Sequence, residues 1–187
     1  METTESRLSG ILEQRERGFL LEKVRVKLRS SLENIDVGDF RIEKLNEGET
    51  AELPRWVADE LVKSGLAEMP EEPFESEMVR SLSREKMMGP LQLPPLPHDF
   101  YVKMKRRLAF LREAAAEGRG KKEDYEKVRA GSYDLIGLRL SKLLALSSSA
   151  TPASVLADKL TPEEVAFFSL SQSISKDWRG ALLDGAK

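Results

Sequence analysis

Residues 23–29 alternate basic and apolar side chains with a strict period of two: Lys-Val-Arg-Val-Lys-Leu-Arg. This pattern predicts a half-buried strand, with Val24, Val26 and Leu28 against a core and the cations in water. A second alternation over 39–45 places Phe40 and Ile42, with Leu45, on one side. Asn46, Glu47 and Gly48 supply turn chemistry, and 49–53 reads as a return strand. Pro54 suits the first position of a helix, where its missing N–H costs nothing. On that helix Trp56, Val57, Leu61 and Val62 form an apolar stripe, Gly65 is the C-cap, and 66–68 follow as a short last strand. A β-rich domain of this size, 23–69, is marginal alone and needs support.

The prolines and carboxylates of 69–74 predict an extended, acidic linker, centred on 70–74, that lets the small domain move. A helix is expected over 75–88. Four prolines in 89–97 then forbid helix, and the leucines among them predict a segment packed on the surface; a free polyproline ligand is the alternative. Phe100, Met104, Leu108 and Leu111 fall at i, i+4, i+8 and i+11, which predicts a helix ending near Gly118. A longer helix over 122–146 carries Tyr125, Val128, Ile136, Leu140, Leu143 and Leu144. Its length is about 37 Å at 1.5 Å per residue, and such a helix has neighbours along it. Three serines, 147–149, are expected to break it. Thr151 and Pro152 begin a short helical turn, and Thr161 with Glu164 forms a capping box for a last helix bearing Val165, Phe167, Phe168, Leu170, Ile174 and Trp178. The pattern is therefore α+β: an extension over 1–22, helical or disordered, a small N-terminal β-rich domain at 23–69, a linker at 70–74 and a larger all-α domain at 75–187.

Composition narrows the chemistry. The chain has no cysteine and one histidine, His98, which removes disulfides, thiol catalysis and histidine or cysteine metal clusters. His98 follows a proline beside Asp99 and reads as a residue at a helix N-terminus; a Ser–His–Asp arrangement would need a serine with a motif around it, and none has one. No glycine run has phosphate-loop spacing. These features predict a protein without enzymatic activity, cofactor or metal. No apolar run is long enough to span a membrane, and the first ten residues lack a signal peptide's apolar stretch. Scarce Asn and Gln with abundant Glu, Lys and Arg is the bias of heat-adapted proteins.

Charge is uneven. Residues 43–77 hold eleven acidic and three basic side chains, whereas 97–122 hold eight basic and three acidic ones, which points to complementary partners. Lys103, Arg106 and Arg107 share one helical face and are the residues with nucleic-acid potential, but no interleaved aromatics offer stacking platforms. A solvated face or an acidic protein partner explains them as well.

Two segments resemble the GINS family. Residues 48–68 read Gly-Glu-Thr-Ala-Glu-Leu-Pro-Arg-Trp-Val-Ala-Asp-Glu-Leu-Val-Lys-Ser-Gly-Leu-Ala-Glu, similar to that family's small β-domain: glycine turn, strand, Leu-Pro step, short helix and closing Gly-x-Ala-Glu. Leu91, Gln92, Leu93 and Pro94, followed by Asp99, Phe100 and Tyr101, resemble the lead into a long helix of its helical domain. The order, small domain first, is similar to the archaeal subunit of that class and to eukaryotic subunits of the same order. The 1–22 extension and the extra Pro95, Leu96 and Pro97 depart from the pattern.

The resemblance implies a non-catalytic scaffold of DNA replication. It implies a 2:2 heterotetramer with a helical-domain-first sister subunit, contacts with the MCM helicase, a RecJ-like cofactor and primase, weak or indirect DNA contact, and a cytoplasmic location at the nucleoid (nuclear in a eukaryote). Candidate interface residues are Trp56, Tyr101, Lys103, Arg106, Arg107 and Tyr125. The alternative is a nucleic-acid-binding protein using the basic helix at 97–122.

Overall fold

A computed structural model describes residues 4–37, 40–149 and 152–183. The expected alternation through Asp39, the side chain of Phe40 and the Thr151 cap lie outside the described residues. The protein is mixed α+β, and its chain divides into two compact units, one over Leu12–Glu72 and one over Pro73–Lys187 together with Met1–Ile11.

Helix α1, Thr4–Leu21, is shared: its residues from Leu12 on belong to the smaller unit. Strand β1, Lys23–Leu28, pairs antiparallel with β4, Thr50–Pro54, on one side and with β5, Ala67–Glu68, on the other. Strands β2, Ile35–Val37, and β3, Phe40–Ile42, make a separate hairpin. Val26 and Leu28 are buried and Val24 half-buried, as the alternation predicts.

Helix α2, Arg55–Lys63, covers the inner face, but its register is rotated from the expected stripe. Val57, Ala58 and Leu61 enter the core, while Trp56 and Val62 stay largely outside. The i, i+1, i+4 set is what one helix lays on a sheet; the expected i, i+1, i+5, i+6 set is too wide an arc for one contact. Gly65 ends α2 at φ 73°, its N–H bonding the Val62 carbonyl at 3.0 Å, while the Leu66 N–H bonds that of Leu61 at 2.9 Å. That is a Schellman cap, which needs a left-handed residue at this point.

Besides the first part of α1, the larger unit contains α3 (Phe74–Met87), α4 (Phe100–Ala116), α5 (Lys122–Ser148), a 3-10 turn (Ala153–Leu156) and α6 (Pro162–Leu183) among the described residues. Helix α5 packs against α3, α4 and α6 and is the centre of the unit. Gly131 admits α3 closely: a Cβ there would stand 2.9 Å from Met78 Cε. Phe74, Met78, Leu96, Phe100, Met104, Leu111, Val128 and Leu135 form one core; Leu93, Leu143, Leu146, Leu156 and Phe168 form another. The proline-rich segment supplies Leu93 to one core and Leu96 to the other, so it is a structural strap and no free ligand.

Helix α5 ends within the serine run, at Ser148 with Ser149 as its C-cap, where the break was expected. The serine hydroxyls donate back to the carbonyls of Leu144, Ala145 and Leu146 at 2.9–3.0 Å, satisfying groups that a helix end would leave bare.

Phe100 is 0% exposed, with its ring tilted against Phe74 at 5.3 Å and edge-on to Tyr101 at 5.7 Å. Phe100→Ala should cost about 3–5 kcal/mol, read by chemical denaturation; a midpoint within error of the native one would show that this site collapses freely.

Candidate functional site

Two cations of the basic stretch of α4, Lys103 and Arg107, are paired within the protein's own fold, while Lys105 and Arg112 are exposed. Lys103 Nζ stands 2.8 Å from Asp99 Oδ2 and 3.6 Å from Glu77 Oε2. Arg107 grips Glu75 of α3, with Nε at 2.8 Å and Nη2 at 2.7 Å from one carboxylate oxygen. Burial pushes the Glu77 carboxyl above its ordinary range, with the Lys103 charge acting against that shift. Arg106 is half-buried on the same helix. His98 lies in the turn before α4 rather than in its first turn, and the neighbouring Asp99 carboxylate is engaged by Lys103.

The two tyrosines are also turned inward. Tyr125 packs half-buried against the α3–α4–α5 core. Tyr101 packs there too and donates its hydroxyl to Glu164 Oε1 at 2.8 Å. Trp56 belongs to the other unit, on α2, and is 36% exposed. Of the six predicted interface residues, α4 brings together Tyr101, Lys103, Arg106 and Arg107, with Tyr125 beside the same core.

The acidic linker is fixed at its carboxylates. Arg55, buried, forms a two-point pair with Glu71 (Nη1–Oε2 3.0 Å, Nη2–Oε1 2.6 Å) and lies 4.1 Å over the Phe19 ring. Glu75 and Glu77 carry the α4 pairs. Phe74, expected in the linker, is buried as the first residue of α3.

Sequence reasoning missed the most highly charged site of the molecule. Arg139, 1% exposed in mid-α5, uses all five of its N–H groups. Nε and Nη2 hold Glu164 at 2.7 and 2.6 Å; Nη1 reaches Glu85 at 3.2 Å and the Pro94 carbonyl at 2.7 Å; Nη2 also donates to the Lys159 carbonyl at 3.1 Å. Lys142 Nζ stands 2.8 Å from Glu85 Oε1, an ion pair without hydrogen-bond alignment, and donates to the Glu85 carbonyl at 2.9 Å. Two cations thus face two carboxylates. Burial works against the Arg139 charge, but the carboxylates of Glu164 and Glu85 more than reverse it, so its pKa is raised. Burial, then the Glu164 charge, pushes the Tyr101 hydroxyl far above its ordinary range. The predicted capping box is part of the same cluster: Thr161 N–H donates to Glu164 Oε2 at 3.0 Å, and Glu164 N–H to Thr161 Oγ1 at 3.3 Å.

No protein-family model matches the sequence, and no curated protein matches it. The site is therefore judged by its geometry. The Arg139 cluster is closed by protein on all sides of the guanidinium, which suits it to fixing helices rather than to holding a ligand.

The larger unit also leaves large apolar side chains exposed. Tyr133 (77% exposed), Leu140 and Leu144 lie at i, i+7 and i+11 on α5. Ile174, Trp178 (67% exposed) and Leu182 lie at i, i+4 and i+8 on α6. Of the expected stripe, Val128 and Leu143 are buried, but Leu140 and Leu144 stay outside, and Leu135 and Leu146 fill the core beside them. No helix among the described residues is long and apolar enough to cross a membrane.

Two outcomes test this site. Arg139→Met should cost about 3–5 kcal/mol by leaving buried carboxylates uncompensated, and adding Glu164→Gln, which keeps the capping box, should recover part of that loss. Tyr101 is favoured neutral in the fold, so its contribution is complete below the usual tyrosine pKa of about 10 and is lost as pH rises beyond it. Tyr101→Phe should flatten the fall in stability above about pH 10 in a denaturation series.

Proposed function

We propose that the chain is a non-catalytic scaffold subunit of the GINS type, working in DNA replication through assembly with other proteins. The observation that carries this reading is the pair of exposed apolar stripes, on α5 and on the C-terminal half of α6. Monomeric proteins seldom expose large contiguous apolar patches, and faces of this kind mark protein partners. The finer domain order also supports it: a small sheet-bearing unit precedes a larger helical one. The two segments that resemble GINS each form a continuous piece of structure. Residues 48–68 form the turn, β4, α2 and β5, and 91–101 form the strap that leads into α4.

On this reading the partners are a helical-domain-first sister subunit in a 2:2 heterotetramer, the MCM helicase, a RecJ-like cofactor and primase, at the nucleoid of an archaeal cell. The mechanism is differential binding: a scaffold holds the helicase ring in its competent state by contacting that state preferentially. The nucleic-acid reading loses its main support, because Lys103 and Arg107 are engaged by Asp99, Glu75 and Glu77.

Co-expression with the sister subunit should give a single tetrameric species by light scattering. Ile174→Glu with Trp178→Glu should abolish it, a loss of about 2 kcal/mol or more per anchor, while circular dichroism stays unchanged because both side chains are exposed. A chain that stays monomeric beside its sister would sink the proposal.

A further inference from the structure

We propose that the outward face of the three-stranded sheet binds the phosphate backbone of duplex nucleic acid without sequence preference. This inference is independent of the assembly reading. Lys23, Arg25 and Lys27 all point away from the core that takes Val26 and Leu28, and Arg29 continues the row, its N–H bonded to the Leu66 carbonyl at 2.8 Å. Alternate residues of an antiparallel strand repeat at about 6.8 Å, so the four cations form a line of about 20 Å. A duplex presents phosphates continuously over such a length.

The countercharges on this face are few and loosely held. Glu52 lies opposite Arg25 and pairs with it at 3.2 Å; Glu68 pairs with Arg29 at 3.0 Å. Both pairs are solvated, with side chains 45–75% exposed, and exposed pairs of this kind are weak and yield to competing anions. Lys23 faces Pro54 across the ladder, and Lys27 lies between Thr50 on β4 and Glu68 on β5. Neither lysine has a carboxylate within ion-pair distance among the described residues. This contrasts with α4, where Lys103 and Arg107 are committed to carboxylates inside the fold.

The chemistry of the face selects among polyanions. A protein partner would need an apolar anchor, since interface centres are depleted of charge, and the outward positions of β1, β4 and β5 offer cations, Thr50, Glu52, Pro54 and Glu68. Single strands are gripped largely by aromatic stacking, and no aromatic residue stands on these outward positions. A row of cations with a neighbouring hydroxyl suffices for backbone contact.

The test uses the full chain and a fluorescent duplex of about 20 base pairs titrated at several salt concentrations. Four neutralised phosphates would give a log–log salt slope of about −3.6. Lys23→Gln with Lys27→Gln should weaken binding at least tenfold and reduce that slope by about 2. Glu52→Gln with Glu68→Gln should tighten binding several-fold, by removing the internal competitors. All four side chains lie on the outward face, and unchanged circular dichroism would show that the fold is intact. Unaltered affinity in the double-lysine variant, or no salt-dependent binding at all, overturns the proposal. So does a labelled poly-glutamate bound as tightly as the duplex, which would assign the face to an acidic protein segment.

Discussion

The larger unit depends on the guanidinium of Arg139. Its five N–H groups reach a carboxylate on α3, a carbonyl of the proline-rich strap, a carbonyl of the turn before α6 and both oxygens of Glu164. Tyr101 joins α4 to the same carboxylate, and Lys142 adds a second tie to α3. Five segments therefore converge on one side chain of α5. Desolvating two cations and two carboxylates offsets most of their mutual attraction, so the cluster adds little net stability beyond an apolar core of the same volume. What it adds is selection. An arrangement that moved α3 or α6 by one turn would strand a buried charge, at a cost of several kcal/mol.

This constraint also explains where the apolar surplus lies. With α5 tied to α3 and α4 on one side and to α6 on another, its third side cannot turn inward. Tyr133, Leu140 and Leu144 stay on that side. Helix α6 is anchored at its N-terminal end by the Thr161–Glu164 box and by Phe168, and its second half runs on with Ile174, Trp178 and Leu182 outside. Both internal cores are already filled, so these side chains are surplus to the fold.

Legibility in the sequence followed the range of the interaction. Local devices could be read directly: the period-two alternation of β1, the Gly65 and Gly118 helix ends, and the Thr161–Glu164 box each occupy a few consecutive residues. The Phe100 stripe was readable because α4 buries a face of ordinary width. Rotational register was less accessible. On α2 and α5 more positions are apolar than one contact can use, and only packing decides that Ala58 goes in and Trp56 stays at the surface. The serine run was also readable, because its hydroxyls bond back to the last carbonyls where the helix ends. Arg139 was invisible, since its carboxylate partners lie 54 and 25 residues away and a lone arginine among leucines resembles a solvated position. The interface candidates on α4 failed to stand out as exposed for a related reason: a basic run reads alike whether water or α3 faces it.

Formal charge is thus a poor guide to which surface meets a partner, and pairing is a better one. The acidic and basic stretches at 43–77 and 97–122 looked complementary to outside molecules. Much of that complementarity is consumed inside each unit. Arg55 takes Glu71 in the small unit, and Arg107 and Lys103 take Glu75 and Glu77 in the larger one. Glu71 is held by Arg55 within the smaller unit, and Phe74 is buried in the helical core of the larger one. The surfaces left to recognise other molecules are those whose side chains the fold does not use: apolar on α5 and α6, where burial would be favourable on association, and cationic along β1, where the pairs are solvated and exchangeable.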